Sequence, residues 1–156
     1  MRPADGLFIL HCARMLLMAV VEVQCYLNRA RDFLKGMDLL QSDLAEYRSS
    51  SALLGIHCAI SYGDALRTGL SCKQLSSEDH RRAADDLESL LHLRNFKKPQ
   101  GTKHLKILLA KKTRVSYAAE AVRENEVEEI VKSAKRFANW AEETGKALKI
   151  EGWLDD

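Results

Sequence analysis

Residues 47–70 contain no proline and carry apolar side chains on nearly every face, with Leu53, Leu54, Ile56, Ala59, Ile60, Ala65 and Leu66 leaving little for solvent. A helix apolar along one stripe lies on a surface, whereas one apolar all round needs neighbours on every side. Read as a helix from about Tyr47 to Leu70, this segment belongs at the centre of a bundle. The rest of the chain must supply its cover.

The remainder is built to do so with helices. Two prolines and eight glycines in 156 residues are too few for the frequent turns of a β-sandwich. The dominant residues are Ala, Leu, Glu, Lys and Arg, all strong helix formers. Val20, Val23, Leu27, Ala30, Leu34 and Met37 recur at spacings of three and four, which predicts a first helix from near Leu17 toward Leu40. Gly36 lies inside it or bends it, and a break follows around Ser42–Tyr47. Ser76 with Asp79 reads as a capping box for a third helix, whose inner face is Ala83, Leu87, Leu90, Leu91 and Arg94. The run Lys97-Lys98-Pro99-Gln100-Gly101 reads as a loop, and Thr102 as the cap of a fourth helix carrying Leu105, Leu108 and Leu109. Asn125 with Glu128 reads as a second capping box, opening a last helix striped by Val127, Ile130, Val131, Ala134, Phe137, Ala138, Ala141 and Leu148. The expectation is an all-α, up-and-down bundle of about five helices occupying residues 19–150, with a tail at 151–156.

The N-terminus is apolar from Leu7 to Val21 but is interrupted by His11 and Arg14, and no small-residue cleavage pattern follows. It reads as short and charged for a membrane span. Residues 1–18 are either an atypical extension, with the natural start at Met15 or Met18, or the opening turns of the first helix. The four cysteines (Cys12, Cys25, Cys58 and Cys72) are dispersed, form no C-x-x-C pair and adjoin apolar runs, so they read as small hydrophobes of a reducing, cytoplasmic protein. No membrane contact, metal or cofactor is expected.

Net charge is only +2, yet no acidic residue lies between Glu88 and Glu120. That span holds Arg94, Lys97, Lys98, Lys103, Lys106, Lys111, Lys112 and Arg114. Clustered cations attract phosphate backbones, and the competing reading is a solvated face balanced by Glu124, Glu126, Glu128 and Glu129 of the last helix. Separately, His57, Ser61 and Asp64 are spaced four and three apart on one face of the central helix. Buried polar groups need partners, and Arg114 and Tyr117 of the basic helix are the expected ones. The line could lock helix register, or His57 beside Asp64 could act as a general base.

The stretch from Tyr47-Arg48 through Ser61-Tyr62-Gly63-Asp64-Ala65-Leu66 resembles the central helix of HEPN-domain proteins. Lys112-Thr113-Arg114-Val115-Ser116-Tyr117 is similar to the segment before that family's last helix, and Ala134-Lys135-Arg136-Phe137-Ala138-Asn139-Trp140 to its ending. The resemblance covers roughly Val20 to Leu148 and implies a helical bundle of RNA-processing or toxin–antitoxin systems, commonly dimeric. It also implies metal-independent ribonuclease chemistry, whose signature is an Arg with a His four to six positions on. Here Arg114 is followed by Tyr117 and no His, so the family's acid–base group is missing.

The leading expectation is therefore a non-catalytic module that contacts RNA, a nucleotide or a partner protein through the basic helix, acting as a homodimer. Lys103, Lys106, Lys111, Lys112 and Arg114 would make the phosphate contacts, with Arg114 as anchor and Tyr117, Asp64 and His57 orienting it. One alternative is a divergent endoribonuclease with Arg114, His57, Asp64 and Tyr117 as catalytic candidates. Another is a structural or neutralising partner encoded beside a toxin.

Overall fold

In the computed structural model, which describes residues 3–73, 75 and 80–153, the chain folds into five α-helices with no strand among the described residues. Helix α1 spans Pro3–Leu39, α2 Arg48–Ser71, α3 Ala83–Leu93, α4 Thr102–Tyr117 and α5 Glu124–Ala147. Short 3₁₀ turns at Leu40–Asp43, His80–Arg82 and Pro99–Gly101 precede α2, α3 and α4. The all-α expectation holds, and α2 is the most buried of the five, packed against all four others. Ala52, Ile56, Ala59, Ala65 and Leu66 are fully enclosed, together with Leu27 and Met37 of α1, Leu87 and Leu91 of α3, Leu105 and Leu108 of α4, and Ile130 and Phe137 of α5.

Helix boundaries differ from the sequence expectation where tertiary contacts set them. The Asn125–Glu128 capping box does not form; α5 begins at Glu124 behind an extended Arg123, and no side chain caps it. Glu124 and Glu126 stand in its first turn, where negative charge suits the helix dipole, and each is claimed by an arginine from another helix. Thr102 is the first residue of α4 rather than its cap, its hydroxyl 2.6 Å from Glu88 Oε1 and 2.7 Å from the Pro99 carbonyl oxygen. The Ser76–Asp79 box lies outside the described residues.

Helix α1 starts well before Leu17 and passes Gly36 without a break. Nothing between Pro3 and Leu17 stops a helix, and proline at a helix start costs no internal hydrogen bond. Every side chain from Ile9 to Met18 is exposed, and the first buried one is Ala19. The opening turns therefore project from the bundle as an apolar arm. By length and composition alone, Ile9–Asp43 qualifies as a membrane-crossing segment, with a window of mean hydropathy 1.4 of which 11% is buried.

The described residues after α5 fold back onto the bundle. Lys149 adopts a left-handed conformation, and its N–H and that of Ile150 close back on the carbonyls of Lys146 and Gly145. Ile150 is buried, and Trp153 stacks on Tyr62 with ring centroids 6.5 Å apart. The indole of Trp153 lies so close to Gly145 that any Cβ there would overlap it. Of the four free cysteines Cys58 is buried, whereas Cys12, Cys25 and Cys72, read from the sequence as small hydrophobes, are exposed. Adjacency to an apolar run does not specify which helix face a residue occupies.

Candidate functional site

His57, Ser61 and Asp64 share one face of α2, and Ser61 and Asp64 are buried. Their neighbours come from α1, the His80–Arg82 turn and α2 itself, with Lys112 of α4 close enough to act on His57. The His57 ring meets Phe33 of α1 at a centroid distance of 5.9 Å. Asp64 Oδ1 accepts a 3.2 Å hydrogen bond from Arg67 Nη1, and Arg67 Nη2 donates to Asp86 Oδ2 of α3 at 2.9 Å. Burial pushes the Asp64 carboxyl up, opposed by the positive influence of His80, Arg67 and Arg29. Burial also lowers the His57 pKa, reinforced by Lys112 and His80, so its imidazole is neutral at neutral pH. Tyr26 faces the same carboxylate, and burial together with Asp64 and Glu22 raises its phenol.

The expected partners of this line are elsewhere. Arg114 pairs bidentately with Glu126 of α5, Nε lying 3.0 Å from Oε1 and Nη2 on Oε2. Tyr117 is 83% exposed. Among the described residues no hydrogen bond or ion pair joins His57 or Asp64 to Arg114 or Tyr117. A general base needs hydrogen-bond reach of the group it serves, and a phosphate anchor needs an unengaged guanidinium fork. The four residues therefore do not form one catalytic constellation.

The basic residues of α4 divide into two sets. Lys106 bonds to Asp85 and Glu88 of α3 at 3.0 and 2.9 Å, and Lys111 to Glu129 of α5 at 2.9 Å. With Arg114 on Glu126, these three cations are neutralised by the two helices flanking α4. Lys103 and Lys112 have no carboxylate partner among the described residues. Lys103 lies at the start of α4, close behind Lys97 and Lys98, while Arg136 approaches from α5. Desolvation lowers the pKa of His104, and the nearby charges of Lys103 and Arg136 lower it further. The Nδ1 atom of His104 is enclosed without a hydrogen-bond partner. Trp140 closes this end of the bundle: its Nε1–H donates to the Lys98 carbonyl at 2.9 Å, and its ring packs on Phe137 with centroids 5.5 Å apart. Gly101 makes that approach possible, since a Cβ there would overlap the indole. Held in this way, Trp140 braces the turn that carries Lys97 and Lys98.

The most completely bonded polar cluster was not anticipated from the sequence. Glu142 of α5 accepts four hydrogen bonds: Arg31 Nε at 2.8 Å and Tyr62 Oη at 2.8 Å on Oε1, Arg31 Nη2 at 3.1 Å and Trp153 Nε1 at 3.1 Å on Oε2. Burial would raise this carboxyl, but the Arg31, Tyr62 and Trp153 donors outweigh it and hold the pKa below the ordinary range. The phenol of Tyr62 is pushed strongly up, by burial first and by Glu142 second. The cluster ties α1, α2, α5 and the C-terminal segment together with every carboxylate lone pair used, as a structural brace requires. Two signals pointed to it: Arg31 directly follows Ala30 in the α1 stripe, and Glu142 stands four residues after Ala138 in the α5 stripe. A shallow cavity of about 270 Å³ beside it is lined by Leu34, Lys35, Asp38 and Lys146 as well. No group of three or more His, Cys, Asp or Glu side chains suited to a metal occurs among the described residues.

In comparisons with known proteins, no family model matches this chain, and neither does any curated protein or solved structure.

Proposed function

We propose that this protein is a HEPN-like module that binds RNA through its phosphates without cutting it, at the end of the bundle formed by Lys97, Lys98, Lys103 and Arg136. The observation that carries this reading is the unequal neutralisation of the basic segment. Lys106, Lys111 and Arg114 are each met by a carboxylate, whereas Lys103 of α4 and Arg136 of α5, the two cations that act on His104, have no ion-pair partner among the described residues. Like charges gathered from separate elements repel, and an anionic ligand relieves that repulsion. Trp140 is engaged with Lys98 and Phe137, so its ring does not serve base stacking, and contacts to phosphate alone carry little sequence information. Absence of cleavage is supported by the dispersal of Arg114, Tyr117, His57 and Asp64.

A salt titration of a labelled single-stranded RNA tests this, read beside a gel for cleavage products. About four phosphate contacts give a log K against log salt slope of about −3. Lys103→Glu and Arg136→Glu should each weaken binding more than Arg114→Ala or Lys111→Ala. Salt-independent binding, an Arg114→Ala effect larger than either charge reversal, or specific cleavage would each reject the reading. A protein partner is the second reading, favoured by the exposed arm of α1.

A further inference from the structure

The opening turns of α1 leave the bundle beside a cleft of about 200 Å³. Its walls come from four separate parts of the chain: α1, the end of α2, the residue that closes α3, and the segment after α5. Close approaches hold these walls together. A Cβ at Gly69 would overlap Ile150, and one at Gly152, which lies at φ 86°, would meet the Val20 carbonyl. The deep surface is apolar, with Ala19, Val23, Leu70 and Ile150 all buried. Thr68 also lines it; the residue is fully enclosed, and its hydroxyl has no hydrogen-bond partner among the described residues. At the mouth stand Arg94, Lys149 and Glu151, all exposed. Arg94 Nη2 donates to the Leu70 carbonyl at 3.2 Å, which fixes the guanidinium at the end of α2. That bond engages one of its five N–H groups, and no carboxylate pairs with it among the described residues.

We propose that this cleft is a binding site for a small aliphatic carboxylate, its chain against Val23, Leu70 and Ile150 and its head between the Thr68 hydroxyl and the Arg94 guanidinium. At ~30 Å³ per molecule the space holds about seven waters, so a chain of about six carbons fills it. Water alone can satisfy Thr68, but it then wets the apolar walls, and a hydrocarbon chain removes that cost. An enclosed hydroxyl without a partner costs free energy that a ligand oxygen recovers. The planar fork of Arg94 matches a carboxylate, whereas an alcohol leaves it unused and an alkylamine finds only Glu151 to pair with. The carbonyl ends of α2 and α5 oppose an anion here, which keeps the affinity modest and makes Arg94 indispensable. None of these residues belongs to the phosphate-binding end of the bundle, so the two readings stand or fall separately.

Calorimetric titration of the full chain with sodium hexanoate should show one saturable site, with a Kd on the order of 1 mM for so small a ligand. Hexylamine and 1-hexanol should bind at least about tenfold more weakly. Arg94→Met should weaken hexanoate about tenfold and leave hexanol unchanged. Thr68→Val should weaken hexanoate several-fold without lowering the denaturant midpoint of the free protein, because its hydroxyl has no partner to lose. Thiol labelling of the unmutated protein locates the site even if a variant misfolds. Hexanoate should slow the reaction of Cys72, which lines the cleft, and not that of Cys25, which is exposed elsewhere on α1. Absence of saturable hexanoate binding would overturn the proposal. So would bound hexanoate that leaves Cys72 unprotected, full affinity in either variant, or hexylamine or hexanol binding as tightly as hexanoate.

Discussion

Lys149 holds a left-handed conformation at φ 50°, where an L side chain is strained and glycine is not. It occupies the position after α5 at which glycine most often closes a helix, and its side chain is exposed. Lys149→Gly should therefore stabilise the protein by about 0.5–1 kcal/mol, read as a raised denaturant midpoint. Glu142 behaves in the opposite way. Glu142→Gln removes the charge that Arg31 grips bidentately, and should cost about 2–3 kcal/mol. Tyr62→Phe, which deletes one donor to the same carboxylate, should cost about 1–2 kcal/mol. If Tyr62→Phe proves neutral in urea denaturation, the brace is not what holds the C-terminal segment. Cys58 is enclosed and its thiol is pushed up to about 12, first by burial and then by Asp38 and Glu142. Native protein should accordingly leave Cys58 unlabelled by a thiol reagent that modifies Cys25 and Cys72.

Among the helices, α2 carries the packing, and a cavity made there has no route to collapse. Leu66→Ala should cost about 2–5 kcal/mol in equilibrium unfolding, because Leu66 is enclosed within the central core. Lys106→Ala should leave the denaturant midpoint nearly unchanged although it breaks two ion pairs, since all three groups face solvent. Periodicity located all five helices because each must bury one stripe, and the stripe is written in the spacing of Leu, Ile, Val and Ala. It misplaced the starts of α4 and α5, and left that of α1 open between Leu17 and the opening residues, for a different reason. A helix start is decided by whatever engages its free N–H groups and first-turn charges. In α5 those charges are engaged by Arg48 and Arg114 from distant parts of the chain. In α1 helix propensity alone extends the element beyond the bundle that it serves.

At the scale of the molecule, acidification should weaken the fold in two stages. His57 and His104 both sit below the ordinary imidazole value of 6.5, chiefly through burial, so the unfolded chain takes up their protons first. Stability that is fully present above 6.5 should decline as pH falls through that value, and His57→Gln should flatten part of the decline. Glu142, held below its ordinary 4.5, adds a second loss as pH falls from 4.5 through its lower folded value. Denaturant midpoints measured from pH 8 to pH 3 check both stages. Asp64, raised by burial, acts in the opposite sense, so the histidine stage is read from the part of the decline that His57→Gln removes, and no such part would contradict the burial of His57.

Fold class, helix number and the central place of residues 47–70 were legible in the chain because they depend on local propensity and on hydrophobic period, both carried by near neighbours. Which charges remain available to a ligand was not, because ion pairing depends on which helices come to lie side by side. The acid-free span from Ser89 to Ala119 reads as one basic surface, yet α3 and α5 neutralise Lys106, Lys111 and Arg114 and leave the cations around His104. The pairing of Arg31 with Glu142, 111 residues apart, belongs to the same class. So does the exposure of the α1 arm: its apolar stripe predicts that something must cover it, and only the packing shows that no described residue does.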